Sequence, residues 1–295
     1  MIAFITVALI AGIAFASIIF QALFSFIFPA IIGSISDGID TIRFALVSNP
    51  GALLKRRYET YISGKIPYYD ALPESLKIRF LRRIPYFIRD KTFYGREGLE
   101  VTTEMKVLVA ASAVQLTLGI ENFILEKFHT IVFYPAKYLS NITGLYHVGE
   151  ANIRGMLVIS WSDFEKGYRD GKDKYNVGLH EMAHALDLDT RAGNYYDDEF
   201  VNRYRRWLKT AHEEFDRMQD NGEHFLRSYA ATNMQEFFAV CVEHFFETPA
   251  EFKQNLPELY TELCRLLNQD PLQFSSRPSA VKPVSFSTPI PDNPA

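Results

Sequence analysis

Two histidines and a glutamate lie close together within residues 177–187. His180, Glu181 and His184 form the pattern His-Glu-x-x-His, and positions four apart share one face of an α-helix. Both imidazoles then point the same way and can hold one zinc ion, with the glutamate beside them as a general base. Zinc lowers the pKa of a bound water from ~15.7 to ~7, and the glutamate takes its proton. The pattern predicts a metal-dependent hydrolase.

The neighbours of this pattern favour a metal site over a surface helix that carries two solvated histidines. Residues 177–179, 182–183 and 185–186 carry no charge, which predicts a helix buried on most sides, with Asn176 available as its cap. Unpaired buried polar groups are costly, and a metal ion gives them a partner. Asp187 shares this helix face, where it either orients a ligand imidazole or is an ordinary acid near a helix end.

A catalytic zinc site needs a third protein ligand, since such sites hold three protein groups and a water. The best candidate is Glu236, which opens a strongly apolar stretch with Thr232 and Gln235 at the spacing of a capping box. The alternative is an ordinary glutamate at a helix start, which the helix dipole favours. Glu243 lies two turns further along the same face, so it could be the ligand instead or support one.

Five motifs follow one another along the chain in a recognisable order. They are residues 93–107, 131–135 (Ile-Val-Phe-Tyr-Pro), 180–187 (His-Glu-Met-Ala-His-Ala-Leu-Asp), 229–232 (Tyr-Ala-Ala-Thr) and 236–240 (Glu-Phe-Phe-Ala-Val). Together they resemble the Mlc titration factor A family of zinc peptidases. The similarity runs from about residue 65 to about residue 270. The family's catalytic core is in turn similar to the protease domain of anthrax lethal factor.

The resemblance implies a set of roles for individual residues. It implies His180, His184 and Glu236 as Zn²⁺ ligands, Glu181 as the base, and Tyr229 as a hydroxyl donor to the oxyanion. The substrate is then a peptide or protein, hydrolysed by a zinc-bound water. Because the family is named for binding a glucose-responsive transcriptional repressor, the alternative is a regulator-binding module that sequesters such a repressor, with peptidase activity secondary.

Helices and a small sheet must position these residues. Residues 102–119 are rich in Ala, Val and Leu, which predicts a buried helix, whereas residues 130–134 and 156–161 are typical of strands. The second strand either lines the cleft, where it pairs with an extended substrate, or is an ordinary central strand. The predicted fold class is α+β: a zincin-like metallopeptidase domain, mainly helical with a small sheet, plus an N-terminal transmembrane helix.

The N-terminal segment is the least polar part of the chain. Residues 1–36 contain no charged side chain, and this run exceeds the ~20 residues that a spanning helix needs. We predict a single-pass transmembrane anchor at residues 1–33 and a juxtamembrane linker and helix at residues 34–66. A cleaved signal peptide is the alternative, but the basic region that opens such peptides is missing.

Basic residues set the predicted orientation of this anchor. None precedes the apolar run, whereas Arg43 and residues 55–57 follow it. The positive-inside rule therefore places the catalytic domain in the cytoplasm. We assign the zinc peptidase domain to residues 67–270 and a disordered tail, rich in Pro and Ser, to residues 271–295.

Composition limits the classes of function. The 295 residues are 48% hydrophobic and 22% charged, which supplies an ample core without disulfides. The net charge of −4 and the lack of a basic stripe argue against nucleic acid as a partner. Only Cys241 and Cys264 are present, too few for a disulfide framework, which favours a reducing compartment.

Overall fold

The computed structural model describes residues 50–140, 143–193, 196–221 and 224–275. Internal contacts divide the chain into two units, with the boundary between Leu53 and Leu54. The packing described below is that of the second unit, which begins at Leu54. The helices are α1 (Pro50–Leu54), α2 (Thr60–Ile62), α3 (Pro67–Ala71), α4 (Glu74–Asp90), α5 (Thr103–Thr117), α6 (Trp161–Arg169), α7 (Val177–Ala192), α8 (Asp198–Asn221), α9 (Met234–Glu247), α10 (Pro249–Asn255), α11 (Pro257–Leu267) and α12 (Leu272–Ser275). A π-helical segment covers Lys55–Glu59 and a 3-10 helix covers Ser228–Ala231. The described residues are thus mostly helical, as predicted.

The strands build one small sheet and one hairpin. They are β1 (Thr92–Gly95), β2 (Thr130–Tyr134), β3 (Tyr138–Leu139), β4 (Tyr146–His147), β5 (Gly149–Asn152) and β6 (Met156–Ser160). The sheet has the order β1-β2-β6-β5, and β3 pairs with β4. Neighbours in β1-β2-β6 are parallel, whereas β5 runs antiparallel to β6. β6 is therefore a central strand, and the edge strand beside it is β5, which the sequence did not predict.

Helix α5 is buried along nearly its whole length. Every residue from Val107 to Thr117 is buried, because Ala, Val and Leu dominate all sides of the helix. Thr102 caps it, since its hydroxyl oxygen accepts a hydrogen bond from the backbone N–H of Met105 at 3.2 Å. Both α4 and α7 pack against α5. The helix with the His-Glu-x-x-His pattern therefore has an apolar support.

Helix α7 has a definite start and stop. Asn176 caps it as predicted, because its side-chain oxygen accepts a hydrogen bond from the Leu179 N–H at 3.0 Å. The helix ends at Gly193, whose φ of 94° lies in the left-handed region that glycine adopts without a steric penalty. α7 packs against α5, α9 and β5, so it joins the helical layer to the edge of the sheet.

Helix α9 is capped by a different residue than the sequence indicated. The side-chain oxygen of Asn233 accepts hydrogen bonds from the N–H groups of Gln235 at 2.9 Å and Glu236 at 3.0 Å. The predicted capping box between Thr232 and Gln235 is therefore wrong, because the cap position falls one residue later. An asparagine there reaches two free N–H groups at once. This fixes the backbone of Glu236 in the first turn.

The predicted N-terminal anchor, residues 1–33, lies outside the described residues, as does the tail beyond residue 275. Among the helices that the structure describes, none is long and apolar enough to cross a bilayer. Ile62 and Ile66 are fully buried in the second unit, and the Phe274 ring of α12 lies 6.2 Å from the Tyr68 ring. The packed unit thus includes residues on both sides of the predicted span 67–270.

Candidate metal centre and active site

Three side chains from α7 and α9 converge on one point. The Nε2 atom of His180 lies 3.1 Å from Nε2 of His184 and 3.0 Å from Oε2 of Glu236. The third side of this triangle, His184 Nε2 to Glu236 Oε2, is 3.4 Å. Within the described ranges, these three residues are the group whose ligand atoms lie close enough together, within 4.8 Å of one another, to hold a metal ion. Their side chains are 12–17% exposed, so the cluster is partly buried yet reaches solvent.

The triangle of donor atoms fits a zinc ion. Ligand atoms at ~2.1 Å from a tetrahedral zinc lie about 3.4 Å from one another, close to the 3.0–3.4 Å found here. Two imidazoles and one carboxylate are also a donor set that catalytic zinc sites use, with one position left for water or substrate. The structure therefore brings together the three residues predicted as ligands, and their role stays a prediction.

Glu243 forms a hydrogen bond with the second ring nitrogen of one of these imidazoles. His180 donates a hydrogen bond from Nδ1 to Glu243 Oε1 at 2.5 Å, so Nε2 is the ring nitrogen that faces the triangle. The carboxylate also accepts from Arg227, at 2.7 and 3.0 Å, and from the backbone N–H of Asn176 at 3.1 Å. Of the two readings left open for Glu243, the geometry matches support of a ligand rather than a place in the triangle.

Charges around the cluster favour a bound cation. Burial lowers the pKa of His180, but its hydrogen bonds with Glu236 and Glu243 outweigh burial and raise the pKa to about 10. Burial raises the pKa of Glu236, yet its contacts with His180 and His184 leave the pKa well below its ordinary range. Two ionised carboxylates thus face the imidazoles, so the cluster holds either a proton or a metal ion.

The Glu181 side chain lies against Gly149 of β5, at the edge of the sheet. It is 4% exposed, and its Oε2 has no hydrogen-bond partner within the part of the chain that the structure describes. Burial raises the pKa of its carboxyl, although the nearby His184 and His180 partly oppose this. A Cβ added to Gly149 of β5 would lie 2.6 Å from Glu181 Cδ. A buried carboxylate with a free oxygen is suited to take up a proton.

Tyr229 lies beside the cluster, in the 3-10 helix. Its ring centroid is 6.0 Å from that of His180, and the side chain is about half exposed. Burial and the negative charge of Glu236 raise the pKa of its hydroxyl above the ordinary value. The hydroxyl therefore keeps its proton near neutral pH and can donate it to an acceptor in the cleft. Its catalytic role stays a prediction.

The edge of the sheet beside Glu181 offers free backbone groups. The Ser160 N–H donates to the Val148 carbonyl at 2.8 Å, and bonded pairs alternate along antiparallel strands. The N–H and C=O groups of Gly149 and Ala151 therefore point away from β6, towards a side with no described neighbour strand. An extended peptide can pair with such an edge.

Sequence reasoning missed two contributors to the site and left the role of a third residue, Asp187, open. Gly149 lies in a four-residue strand without alternating polarity, and Arg227 has no fixed spacing from the histidine motif, so neither gave a signal. Asp187 does not contact a ligand imidazole. It accepts hydrogen bonds from Tyr204, from Arg191 at 3.0 Å and from Gln235 at 3.3 Å.

Two imidazoles, a carboxylate and a buried glutamate beside a free sheet edge define a candidate metallohydrolase site. The chain belongs to the family described as glucose-regulated metallo-peptidase M90, whose model matches residues 48–267. The family resemblance that the sequence motifs indicated is therefore confirmed.

Curated relatives match most of the same region. An uncharacterized protein of Synechocystis sp. is 27% identical over 236 residues, which cover 74% of this chain and 86% of that protein. Mlc titration factor A of Edwardsiella ictaluri is 27% identical over 241 residues, or 75% and 91% of the two chains. Its counterpart in Klebsiella pneumoniae subsp. pneumoniae is 28% identical over 229 residues, or 70% and 84%.

Proposed function

We propose that this chain is a zinc-dependent, zincin-like peptidase whose metal ligands are His180, His184 and Glu236. The observation that carries the proposal is the triangle of their donor atoms, with sides of 3.0, 3.1 and 3.4 Å. Membership of a metallopeptidase family supports it. A zinc ion held there would supply a Lewis acid that polarises the scissile carbonyl and acidifies a water.

Glu181 is the general base in this proposal. Its free Oε2 and raised pKa suit a group that takes a proton from the attacking water and then passes it to the leaving amine. A positioned acid–base group of this kind typically contributes ~10²–10⁴-fold to the rate. Burial against Gly149 keeps the carboxylate from rotating into solvent.

Tyr229 stabilises the negative charge that develops on the carbonyl oxygen. Because its hydroxyl keeps the proton, it can donate a hydrogen bond to that oxygen in the transition state. A single donor of this kind is typically worth ~3 kcal/mol.

The edge strand β5 aligns the peptide. A substrate in extended conformation pairs with the outward backbone groups of Gly149 and Ala151. Such pairing places its scissile bond between Glu181 and Tyr229 without a demand on side-chain identity. The proposal therefore predicts activity on extended, unstructured peptide segments.

The decisive experiment measures metal content in three forms of the full chain. The wild type and Glu181→Gln should each bind about one zinc ion, whereas His184→Ala should bind none. Only the wild type should cleave a peptide library. A wild type that takes up no zinc after reconstitution would sink the peptidase proposal, and metal loss from Glu181→Gln would refute the base assignment alone.

A second function has support in the names of the relatives. Several are called Mlc titration factor A, which favours a module that binds a transcriptional regulator, with peptidase activity secondary. Affinity capture with Glu181→Gln separates the two. A stable partner in one-to-one ratio supports regulator binding, whereas trapped peptides that the wild type cleaves support proteolysis.

We also propose that residues 1–33 anchor the protein in a membrane with the catalytic domain in the cytoplasm. The support is the uncharged run of residues 1–36 and the basic residues that follow it. Membrane fractions should retain the full chain after an alkaline carbonate wash. Release by that wash would contradict the anchor, and cleavage by a protease added outside intact cells would contradict the orientation.

A further inference from the structure

Arg227 contacts no metal-ligand residue, yet it is joined to one through a single carboxylate. We propose that Arg227 is a positioning residue that holds the His180 imidazole with its Nε2 towards the zinc position, and that it acts through Glu243. The inference rests on the proposed zinc site. It assigns a purpose to a buried ion pair that the hydrolytic chemistry itself does not use.

The pairing of Arg227 with Glu243 has the geometry of a fork. Nη2 donates to Oε1 at 2.7 Å and Nη1 donates to Oε2 at 3.0 Å, so both carboxylate oxygens are bound at once. A planar guanidinium matches a carboxylate in this way, whereas a lysine ammonium offers a single point of contact. The fork therefore fixes the plane of the carboxylate as well as its charge.

The orientation of Glu243 sets the orientation of the His180 ring. Its side chain is 1% exposed, and its partners are His180 Nδ1, the Asn176 N–H and the two nitrogens of Arg227. The two hydrogen bonds from Arg227 hold this carboxylate where Oε1 lies 2.5 Å from Nδ1 of His180, so the ring turns its Nε2 towards the metal position.

Arg227 is itself held in place by the cleft wall. Its guanidinium carbon lies 4.7 Å from the ring centroid of Tyr175 and 5.9 Å from that of Tyr229. Nη1 also donates to the Lys174 carbonyl in the segment before α7. One side chain thus connects the start of α7, the carboxylate of α9 and the 3-10 helix that carries Tyr229.

If Arg227 served only to stabilise the fold, its replacement would lower the Tm and leave the zinc dissociation constant unchanged. The test therefore measures two quantities on the full chain: the zinc dissociation constant, by competition with a chelator, and the Tm of the metal-free protein. Arg227→Met removes charge and fork, and Arg227→Lys removes the fork alone. We expect zinc binding to weaken 10–100-fold in Arg227→Met, as for other groups that orient a metal ligand, and by an intermediate factor in Arg227→Lys.

Arg83 supplies a matched control far from the cluster in sequence and contacts. Arg83 is buried, donates to the carbonyls of Thr117 at 2.6 Å and Ile120 at 2.7 Å, and lies over the Phe123 ring at 4.4 Å. Arg83→Lys should lower the Tm and leave the zinc dissociation constant within twofold of the wild type. A comparable loss of zinc affinity in this control would mean that loosened packing alone explains the effect.

A double-mutant cycle tests whether Arg227 acts through Glu243. Glu243→Gln alone should weaken zinc binding about as much as Arg227→Met, and the double variant should lose no more than either single one. Additive losses overturn the proposal, as does an Arg227→Met protein with wild-type affinity. If the wild type itself bound no zinc, the proposed function would fail together with this inference; unaffected arginine variants of a zinc-binding wild type refute the inference alone.

Discussion

Gly149 offers the sharpest single test of the arrangement around the proposed base. Replacing it with alanine puts a Cβ 2.5 Å from Glu181 Cγ and 2.6 Å from Cδ, whereas ordinary contact starts at 3.4 Å. The carboxylate must therefore move by roughly 0.8 Å, because the strand backbone is fixed by its pairing with β6. A misplacement of about 1 Å in a catalytic group costs on the order of 10²-fold in rate.

We expect Gly149→Ala to lower kcat about 100-fold without loss of zinc. The three atoms nearest to the added Cβ all belong to Glu181 and none to the donor triangle, so metal content should match the wild type. Global stability should change little, since Gly149 has no positive φ and alanine, by lowering the conformational entropy of the unfolded chain, stabilises the fold by ~0.4–1 kcal/mol. Steady-state cleavage of the best library peptide, metal analysis and calorimetry measure these three quantities.

Two controls separate displacement of Glu181 from general damage. Gly171→Ala adds a methyl group whose nearest neighbour is Pro67 Cγ at 3.3 Å, and its kcat should equal that of the wild type. In a Glu181→Gln background, Gly149→Ala should cause no further loss, because the group that it displaces is already inactive. A Gly149→Ala enzyme with wild-type kcat, or one that lost its zinc, would refute the reasoning.

Three further predictions follow from the site and its surroundings. Tyr229→Phe should keep its zinc and lose ~10²–10³-fold in kcat with little change in KM, measured by steady-state kinetics; an unchanged kcat would remove the hydroxyl from the mechanism. Glu236→Gln should bind zinc far more weakly than the wild type in chelator competition, and retained affinity would exclude it as a ligand. Burial raises the pKa of Glu247 to about 8 from an ordinary 4.5. Between these two pH values the folded chain keeps this proton and the unfolded chain has lost it, so the contribution of Glu247 to wild-type stability falls as pH rises from 4.5 to 8. Glu247→Gln should lack that decline, on the order of a few kcal/mol, in urea unfolding with chelator present at both pH values, whereas parallel pH profiles would contradict the assignment.

Local sequence patterns accounted for much of the helical half of the site. The uncharged neighbours of His180 and the Asn176 cap predicted a buried helix with a definite start, and α7 has both. Each rule involves residues within one or two turns of each other. The fold class followed from the same kind of information, since helix periodicity and short apolar strands are local signals.

What the sequence did not predict depends on packing between distant segments. Glu243 supports His180 across 63 positions of the chain, and no local rule distinguishes such a partner from a third ligand. Strand β5 has four residues with no alternation, so its place at the sheet edge follows only from its pairing with β6. The cap prediction for α9 failed for a simpler reason. Thr232 and Asn233 are neighbours and both are good cap residues, so residue type alone does not decide which of them starts the helix.

The donor triangle has a consequence for the lifetime of the protein. Its atoms come from two helices, with His180 and Glu236 lying 56 positions apart in sequence, so an ion bound as proposed would act as a removable cross-link between α7 and α9. The folded state then gains RT ln(1 + [L]/Kd), about 2.7 kcal/mol when free metal is 100 times the dissociation constant. Cells short of zinc would therefore hold fewer intact copies as well as fewer active ones, because quality-control proteases sample the unfolded fraction.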